Sequence, residues 1–594
     1  MGEMLFIELA KVFESLEKTT KRLEMTSILA DFFKKTDASQ VRKIVYLLQG
    51  RVAPAYKGLD IGMGEKLVEQ AIAKATGYKQ SEVEKAYLKK GDLGLVAEEM
   101  VSAKKQKSLI SQDLTINHVF ENFYKIASAT GSGSQDLKVK LLTELLNNAK
   151  PLEARYIVRI PLDRLSLGIG DPTVLDALSV KEAGDKSLRE VLEKAYNVCC
   201  DLGLVAETLY TKGVKGLEEI KMTPGVPVMP ALCERLPSAQ DIIKKLGKCA
   251  AEPKFDGFRM QAHKDGDKVW LFSRRQENMT NMFPEVVEAV RKQVKLEKAI
   301  LDGEAIGYDE KTGEYLPFQK TMQRKRKYGI EEMLKENPLR LFVFDIIHDG
   351  KEVAGKPFKQ RRKILEKAIA EGETIRLTDQ IITDDAKELQ EFFEDCISRG
   401  LEGIVAKDLN APYTAGARKF AWIKLKRSYK GELSDTVDVV IVGYYYGKGA
   451  RAKFGFGGFL AAVYDDDTGE FKTITRVGSG FTEEQMKELR EMLEKIKVKE
   501  KPKNVDSLIK PDEWVTPKYV AEVMADEITK SPLHTCGRRK DEGYALRFPR
   551  MIGLKFDRAP EEATTVKEII EMYKQQKRIK IGEEKAKQVN DLEQ

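Results

Sequence analysis

The sequence predicts a multidomain protein with an all-α region, then an α+β region, then a β-barrel region. Three observations support this prediction. The chain has 594 residues, which are too many for one hydrophobic core. Residues 1 to about 218 carry helical periodicity with almost no strand-like alternation. Beyond them, short apolar runs alternate with helical segments, and from about 430 these runs have the spacing of barrel strands.

The helical region opens with an amphipathic pattern, because Phe6, Leu9, Phe13 and Leu16 recur at helical spacing. This pattern lacks the basic segment and continuous apolar stretch of a secretory signal. No apolar run in the chain reaches the roughly 18 residues that a membrane span needs. We therefore expect a cytoplasmic protein with no membrane partner.

A weak internal duplication runs through the helical region. The segment Leu59-Asp-Ile-Gly-Met-Gly64 is echoed by Leu165-Ser-Leu-Gly-Ile-Gly170. In the same way, Asp92-Leu-Gly-Leu-Val-Ala-Glu98 is echoed by Asp201-Leu-Gly-Leu-Val-Ala-Glu207. The nearly constant spacing predicts two similar helical halves within one domain.

Both Gly-x-Gly segments, and also Gly131-Ser-Gly-Ser134, precede predicted helices. A glycine turn that opens a helix exposes unpaired N–H groups at the positive end of the helix dipole, and these suit phosphate. Such backbone contacts to a duplex would be independent of base sequence. The alternative is that these glycines only end or join helices.

A linker marked by Pro224, Pro227 and Pro230 separates the helical region from the α+β region. There, strand-like runs such as Leu339-Arg-Leu-Phe-Val-Phe-Asp345 lie among helical segments. Later runs such as Val437-Asp-Val-Val-Ile-Val-Gly-Tyr-Tyr-Tyr446 indicate barrel strands. The predicted boundaries are 1–218, 219–429 and 430–575, with a charged helical tail at 576–594.

The composition limits which side chains can carry out catalysis. Six cysteines without a C-x-x-C pair and four scattered histidines form neither a disulfide framework nor a zinc motif. Catalysis is therefore expected to rest on Lys, Arg, Asp and Glu. The net charge of +7 is modest, so a polyanionic partner would have to meet local basic patches such as 324–327 and 538–540, unless these are ordinary solvated faces.

The segment Glu252-Pro-Lys-Phe-Asp-Gly-Phe-Arg259 is the most informative in the chain. Its core Lys254-x-Asp256-Gly257 is weak alone, but further segments follow in a fixed order. These are Ser273-Arg274-Arg275 with Glu277-Asn278, Asp302-Gly303-Glu304, Phe342-Val-Phe344-Asp345, Glu402-Gly403-Ile-Val-Ala-Lys407 and Trp422-Ile-Lys424-Leu-Lys426. Together they resemble motifs I, Ia, III, IIIa, IV and V of the covalent nucleotidyltransferases, which include ATP-dependent DNA ligases, RNA ligases and mRNA-capping enzymes.

With the helical region and Leu546-Arg-Phe-Pro-Arg550, the chain is similar over essentially its whole length to archaeal and eukaryotic replicative DNA ligases. The resemblance implies a DNA-binding helical domain, an adenylation domain and an OB-fold domain. It implies sealing of nicks in duplex DNA through a lysine–AMP intermediate and an adenylated 5′-phosphate, in replication, repair and recombination. ATP and Mg²⁺, replaceable by Mn²⁺, would be the cofactors of a monomer that is nucleoid-associated if archaeal.

The resemblance also assigns residues. Lys254 would be the nucleophile, Glu252 would accept a hydrogen bond from the adenine amine, and Phe344 would stack on the base. Glu304 would hold the ribose or a metal, and Glu402 would bind magnesium. The remaining nucleotide-binding residues, which contact ribose and phosphates, would be Arg259, Arg274, Arg418, Lys424 and Lys426.

The expected chemistry explains the residue types. A lysine amine attacks the α-phosphate and expels pyrophosphate, whereas an ammonium cannot attack. Nearby cations, including Arg259 and Lys424, together with a bound metal favour loss of the Lys254 proton and neutralise phosphate charge. Asp256 opposes this effect, so we expect the cations to dominate only when ATP and Mg²⁺ are bound.

Two segments depart from the family pattern. Motif VI, Arg-x-Asp-Lys, corresponds here to Lys555-Phe-Asp557-Arg558, with the basic residues exchanged. Arg can contact two phosphate oxygens at once, whereas Lys cannot, so the exchange affects how pyrophosphate is oriented. We nevertheless expect ligation to persist. The segment Gln106-Lys-Ser-Leu-Ile110 resembles a sliding-clamp-binding motif, but Leu109 and Ile110 replace the usual aromatics. An ordinary surface loop is the alternative.

Other functions fit less well. RNA ligases and capping enzymes lack this large helical domain. A nick-binding scaffold without catalysis would be expected to have lost Lys254 or Glu402, and both are present. An NAD-dependent ligase would carry zinc-finger cysteines, whose pattern is missing.

Overall fold

A computed structural model describes residues 3–104, 112–165, 167–309, 315–316, 321, 324, 338–399, 401–426, 436–447 and 454–574. The chain divides into two compact units, Met1–Lys221 and Met222–Gln594.

The first unit is helical throughout its described residues. Its α-helices, numbered α1 to α12, are Phe6–Glu17, Arg22–Lys34, Ala38–Leu48, Glu65–Thr76, Gln80–Lys90, Leu93–Ser102, Ile116–Ser128, Ser134–Asn148, Pro151–Arg159, Asp171–Ala183, Arg189–Cys199 and Leu202–Glu218. Phe6, Leu9, Phe13 and Leu16 are fully buried on one face of α1, as the amphipathic pattern predicts. The core therefore forms by packing of amphipathic helix faces.

The two halves of this unit, α1 to α6 and α7 to α12, are related as the duplication predicts. Helix α6 packs on α9 of the other half, and α12 packs on α3. Asp92 caps α6 and pairs with Arg159 on α9, while Asp201 caps α12 and pairs with Arg42 on α3. Each half thus contributes its last helix to the other half, which closes one shared core.

The second unit begins with two five-stranded sheets. The first sheet has the order β1-β10-β9-β2-β8 and the second β4-β3-β5-β6-β7. The strands β1 to β10 are Leu232–Arg235, Cys249–Lys254, Phe258–Asp265, Lys268–Ser273, Lys298–Gly307, Leu339–His348, Ile375–Leu377, Ile381–Thr383, Gly403–Asp408 and Arg418–Lys426. The helices α13 to α16, which pack on these sheets, are Ala239–Leu246, Pro284–Gln293, Phe358–Ala368 and Ala386–Ser398.

The rest of the unit is rich in strands. Eight of the described strands form one sheet. Six of them follow the order β14-β16-β11-β12-β13-β15, and β17 pairs with both β11 and β20. The strands β18 and β19 form a separate two-stranded sheet. The strands β11 to β20 are Thr436–Tyr445, Gly458–Asp465, Glu470–Val477, Lys497–Val498, Val505–Asp506, Glu513–Val515, Val520–Met524, Glu527–Ser531, Gly543–Arg547 and Arg550–Leu554. Helix α17, Glu483–Glu494, contributes buried leucines to the core, and a last helix covers 566–574.

The predicted fold class is confirmed: an all-helical region precedes an α+β region with two five-stranded sheets, and a strand-rich region follows. Within the described residues, no helix is both long enough and apolar enough to cross a membrane. The predicted tail at 576–594 lies outside the described residues.

Candidate active site

Lys254 lies at the end of β2, where that strand meets β9. The Glu402 N–H donates to the Lys254 carbonyl at 3.0 Å, and the Lys254 ammonium forms an ion pair with the Glu402 carboxylate. Gly403, which follows, has φ of 151°, and a Cβ there would lie 2.0 Å from the Leu425 carbonyl oxygen. This glycine lets β10 approach β9 closely, while the pairing of β2 with β9 brings Lys254 and Glu402, 148 positions apart in the sequence, into contact.

Glu402 lies between two ammonium groups, because Lys426 Nζ is 2.5 Å from its Oε1 atom. Burial raises the pKa of the Glu402 carboxyl, but the charges of Lys254 and Lys426 outweigh burial and hold this pKa well below its ordinary value. Burial lowers the pKa of Lys426. Glu402 is therefore an ionised group that holds the Lys254 side chain in place.

Glu252 lies two residues before Lys254 and is 1% exposed. Its Oε2 atom is 2.6 Å from Lys407 Nζ. Its Oε1 atom accepts from Gln380 Nε2 at 3.0 Å and from the Arg362 guanidinium at 3.4 Å. Burial raises the pKa of Glu252, and the cations Lys407 and Arg362 oppose that increase.

Arg259 is buried and bound on several sides. Its guanidinium makes two hydrogen bonds to Asp302, at 3.0 and 2.6 Å, and one to the Ala231 carbonyl at 2.6 Å. The Tyr413 hydroxyl donates to the same Asp302 at 2.7 Å. Arg259 still lines the pocket, but much of its hydrogen-bonding capacity holds β3 to β5 and to the segment before β1.

Aromatic and carboxylate groups form the remaining wall of the pocket. The rings of Phe344 and Trp422 meet edge to face, with centroids 5.8 Å apart, and Lys407 Nζ lies 4.6 Å from the Phe344 centroid. Glu304 lies beside Arg259 in the register of β5 and β3. Burial raises the pKa of Glu304 to about 8, although Lys254 lowers it.

The strand-rich region closes one side of this pocket. Lys555 Nζ lies 3.0 Å from Glu522 and 3.3 Å from Asp256. Arg558 forms an ion pair with Asp438. All three residues of the altered motif VI, Lys555, Asp557 and Arg558, line the pocket that contains Lys254.

Arg274 pairs with a carboxylate from the strand-rich region, since its Nε donates to Glu562 at 2.9 Å. Burial raises the pKa of Glu562, but Arg274 lowers it below its ordinary value. Lys424 reaches the pocket from β10 and lies 3.8 Å from Glu568. Cations and carboxylates of both regions thus meet around one cavity.

The pocket collects nearly all the residues that the motifs single out. The predicted residues that line it are Glu252, Lys254, Arg259, Arg274, Glu304, Phe344, Glu402 and Lys424. Lys426 joins them through Glu402. Arg418 begins β10, and its side chain lies outside what the structure describes.

Sequence reasoning missed several residues of the site. Lys407 and Trp422 lie inside motif segments, but the motif pattern assigns them no role. Arg362, Gln380 and Tyr413 carry no motif signal, because only the folded sheets bring them to Glu252 and Asp302. The predicted basic patch at 324–327 is wrong for Arg324, which is buried and paired with Glu285. The clamp-binding segment Gln106–Ile110 lies outside the described residues.

The carboxylates fit a magnesium ion that is shared with a substrate. Among the described residues, no group of three or more His, Cys, Asp or Glu side chains could hold a metal ion alone. Mg²⁺, however, is usually bound by one or two carboxylates together with substrate phosphates. Glu304 and Glu402 line the same cavity and supply two such carboxylates.

Comparisons with known proteins identify DNA ligase families in three successive parts of the chain. The family described as "DNA ligase N terminus" matches residues 5–179. The families described as "ATP dependent DNA ligase domain" and "ATP dependent DNA ligase C terminal region" match residues 230–426 and 452–558.

Individual relatives match over their whole lengths. "Probable DNA ligase" of Dictyoglomus turgidum is 53% identical over 584 residues, which cover 98% of this chain and 99% of that protein. "DNA ligase 2" of Thermofilum pendens is 47% identical over 593 residues and covers 97% of this chain and 98% of that protein. The solved structure titled "mycobacterial DNA ligase D complexed with ATP and MES" is 25% identical, covers 57% of this chain and 97% of that chain, and has a TM-score of 0.35.

Proposed function

This chain belongs to the ATP-dependent DNA ligase family, and we propose that it seals nicks in duplex DNA through an AMP carried covalently on Lys254. The observation that carries the proposal is the pocket in which Lys254 lies among cations, carboxylates and aromatic rings. Cations suit a triphosphate, and aromatic rings with a buried carboxylate suit a purine.

In the first step, the Lys254 nitrogen attacks the α-phosphorus of ATP. The bond between nitrogen and phosphorus forms as the bond from that phosphorus to the bridging oxygen breaks, and the electron pair leaves with pyrophosphate. Lys254 forms an ion pair with Glu402, and an ammonium cannot attack, so this nitrogen has to give up a proton before the bond to phosphorus forms. A magnesium ion held by Glu304 and Glu402 would neutralise phosphate charge and offset the carboxylate that stabilises this ammonium.

Other residues orient the nucleotide. Glu252 accepts a hydrogen bond from the adenine amine, and Phe344 contacts the base. The ribose and phosphates are contacted by Arg259, Arg274, Arg418, Lys424 and Lys426. Arg274 has to leave Glu562 to reach a phosphate, so nucleotide binding and the position of the strand-rich region are coupled in this mechanism.

In the later steps, AMP moves to the 5′-phosphate of the nick, and the 3′-hydroxyl then displaces AMP and forms the phosphodiester bond. The helical domain, 1–218, would grip the duplex, the adenylation domain, 219–429, would carry Lys254, and the OB-fold domain, 430–575, would supply motif VI. We propose roles in replication, repair and recombination for a monomer at the cytoplasmic nucleoid. Clamp binding through Gln106–Ile110 stays a prediction.

Incubation with α-labelled ATP and Mg²⁺, or Mn²⁺ in a parallel reaction, followed by a chase with nicked duplex DNA, tests the proposal. We expect label to join the protein and to leave as AMP when the nick is sealed. The Lys254→Ala variant should take up no label, because it lacks the attacking nitrogen. Lys292→Ala, at an exposed lysine on α14, is the matched control and should be labelled normally. Label retained by Lys254→Ala would exclude this nucleophile.

A further inference from the structure

Glu252 is held by side chains from three different elements. Lys407 lies on β9, Arg362 lies on α15, and Gln380 lies between β7 and β8. Arg362 is itself anchored, since it donates to the Thr378 carbonyl at 2.9 Å and to Glu366 at 2.9 Å. Unlike Lys407, neither Arg362 nor Gln380 lines the pocket that holds Lys254. They can therefore act on a bound nucleotide only through Glu252.

The acceptor capacity of Glu252 is almost filled by these donors. A carboxylate offers about four lone-pair positions, two on each oxygen. The Oε1 atom accepts hydrogen bonds from the Gln380 amide and the Arg362 guanidinium. Among the described residues, Lys407 is the donor at Oε2. One acceptor position, on Oε2, is left, and Glu252 lines the cavity.

A carboxylate with one open acceptor position can discriminate between purines by what they carry at C6. An amino group donates a hydrogen bond to the remaining lone pair, whereas a 6-oxo group would bring an acceptor against a carboxylate. A buried polar group that loses its partner carries the full cost of desolvation, so such a site rejects the wrong base strongly. The discrimination requires that Glu252 stay an acceptor in a fixed orientation.

We propose that Arg362 and Gln380 are positioning residues that select ATP over 6-oxopurine triphosphates by fixing the Glu252 carboxylate with one open lone pair. The inference rests on the proposed function, in which Glu252 meets the adenine amine. Arg362 stabilises the charged form of the carboxylate, and Gln380 fixes its rotation by occupying Oε1. Neither residue touches the nucleotide.

The test compares self-labelling of the full-length protein by α-labelled ATP and α-labelled ITP, which differ at C6 and in the proton that hypoxanthine carries on N1 but share the ribose and triphosphate. The wild type should prefer ATP. In Arg362→Met and in Gln380→Met, the ratio of kcat/KM for ATP to that for ITP should fall about tenfold, which corresponds to the loss of one charge-assisted hydrogen bond. The change should appear mainly in KM, because the reacting atoms are untouched.

Two control variants distinguish a loss of Glu252 positioning from a general loss of activity or stability. Arg362→Lys keeps the charge and should restore at least part of the ATP preference. Glu366→Gln removes the exposed partner of Arg362 without touching Glu252, so it should leave the ratio unchanged. A merely structural role for Arg362 would slow labelling by both nucleotides equally.

The possible results distinguish the two proposals. A wild type that takes up no label from ATP contradicts the lysine–AMP mechanism itself. A wild type that is labelled, but with no preference between ATP and ITP, overturns the role of Glu252 in base selection. Normal labelling with the same ATP preference in wild type, Arg362→Met and Gln380→Met overturns the positioning role alone.

Discussion

Most cations around Lys254 are paired with carboxylates in the described residues. Arg259 pairs with Asp302, Arg274 with Glu562, and Lys555 with Glu522. Burial lowers the pKa of a cation, and a paired carboxylate compensates, which is why the pKa of Arg259 is raised despite its burial. A triphosphate that enters this pocket has to compete with carboxylates of the same charge.

The exchanged motif VI gives a residue-scale prediction. Arg558 is paired with Asp438, and a lysine there would keep the charge but lose the planar fork that binds two oxygens at once. We expect Arg558→Lys to slow self-adenylation by about tenfold, as for the loss of one charge-assisted hydrogen bond. Sealing of a nick that already carries AMP should remain near normal, because that reaction bypasses pyrophosphate release.

Rates of protein labelling with ATP and of sealing with a pre-adenylated nick measure the two steps separately. Arg291→Lys, at a partly exposed arginine on α14, should change neither rate. An Arg558→Lys protein that self-adenylates normally would show that the charge alone is sufficient at this position.

At the element scale, the position of Lys254 depends on the register of β2, β9 and β10. Gly403 pairs with Lys254 on one side and with Lys426 on the other. A methyl group at Gly403 would collide with the Leu425 carbonyl, and φ of 151° is strained for any other residue. The glycine thus sets the distance between Glu402 and both lysines.

We therefore expect Gly403→Ala to reduce self-adenylation at least tenfold and to lower the unfolding temperature, because β9 and β10 have to move apart. Gly355→Ala is the matched control, since a Cβ at Gly355 meets nothing within 4 Å and its backbone is not in the left-handed region. Labelling rates and thermal unfolding of both variants make the comparison. Equal behaviour of the two would contradict the role of this close approach.

Features that depend on residues close together in the sequence could be predicted, whereas contacts between distant segments could not. The buried face of α1 and the echoed segments that begin at Asp92 and Asp201 follow from spacing along the chain, and so do the motif segments. The pairing of Arg259 with Asp302 and of Glu252 with Gln380 does not, because it depends on sheet register and on loops that meet across a fold. The burial of Arg324 cannot be predicted from the sequence, because a basic run has the same composition whether it is solvated or buried.

At the scale of the whole molecule, the described chain has two compact units, and the proposed function assigns adenylation to one and DNA binding to the other. Every described residue that lines the cavity around Lys254 belongs to Met222–Gln594. The first unit presents the glycine-opened helices α4, α8 and α10, which begin after Gly64, Gly133 and Gly170 without side-chain caps. Their first turns also carry Glu65, Asp136 and Asp171, so a phosphate there would rely on backbone N–H groups against nearby carboxylates.

A fragment comprising 222–594 should therefore keep the first step and lose most of the last. We expect its self-adenylation rate to lie within about threefold of the full chain, since no described residue of the first unit lines the pocket. Nick sealing should fall by about a hundredfold or more near physiological salt, because phosphate contacts dominate affinity for DNA, and the deficit should shrink as salt is lowered. Labelling with ATP and sealing of nicked duplex across a salt series provide the measurements, with the intact chain as control. A fragment that seals nicks as well as the intact chain at every salt concentration would show that the helical unit is dispensable for DNA binding. A fragment that folds but cannot be labelled would show that the first unit contributes to adenylation.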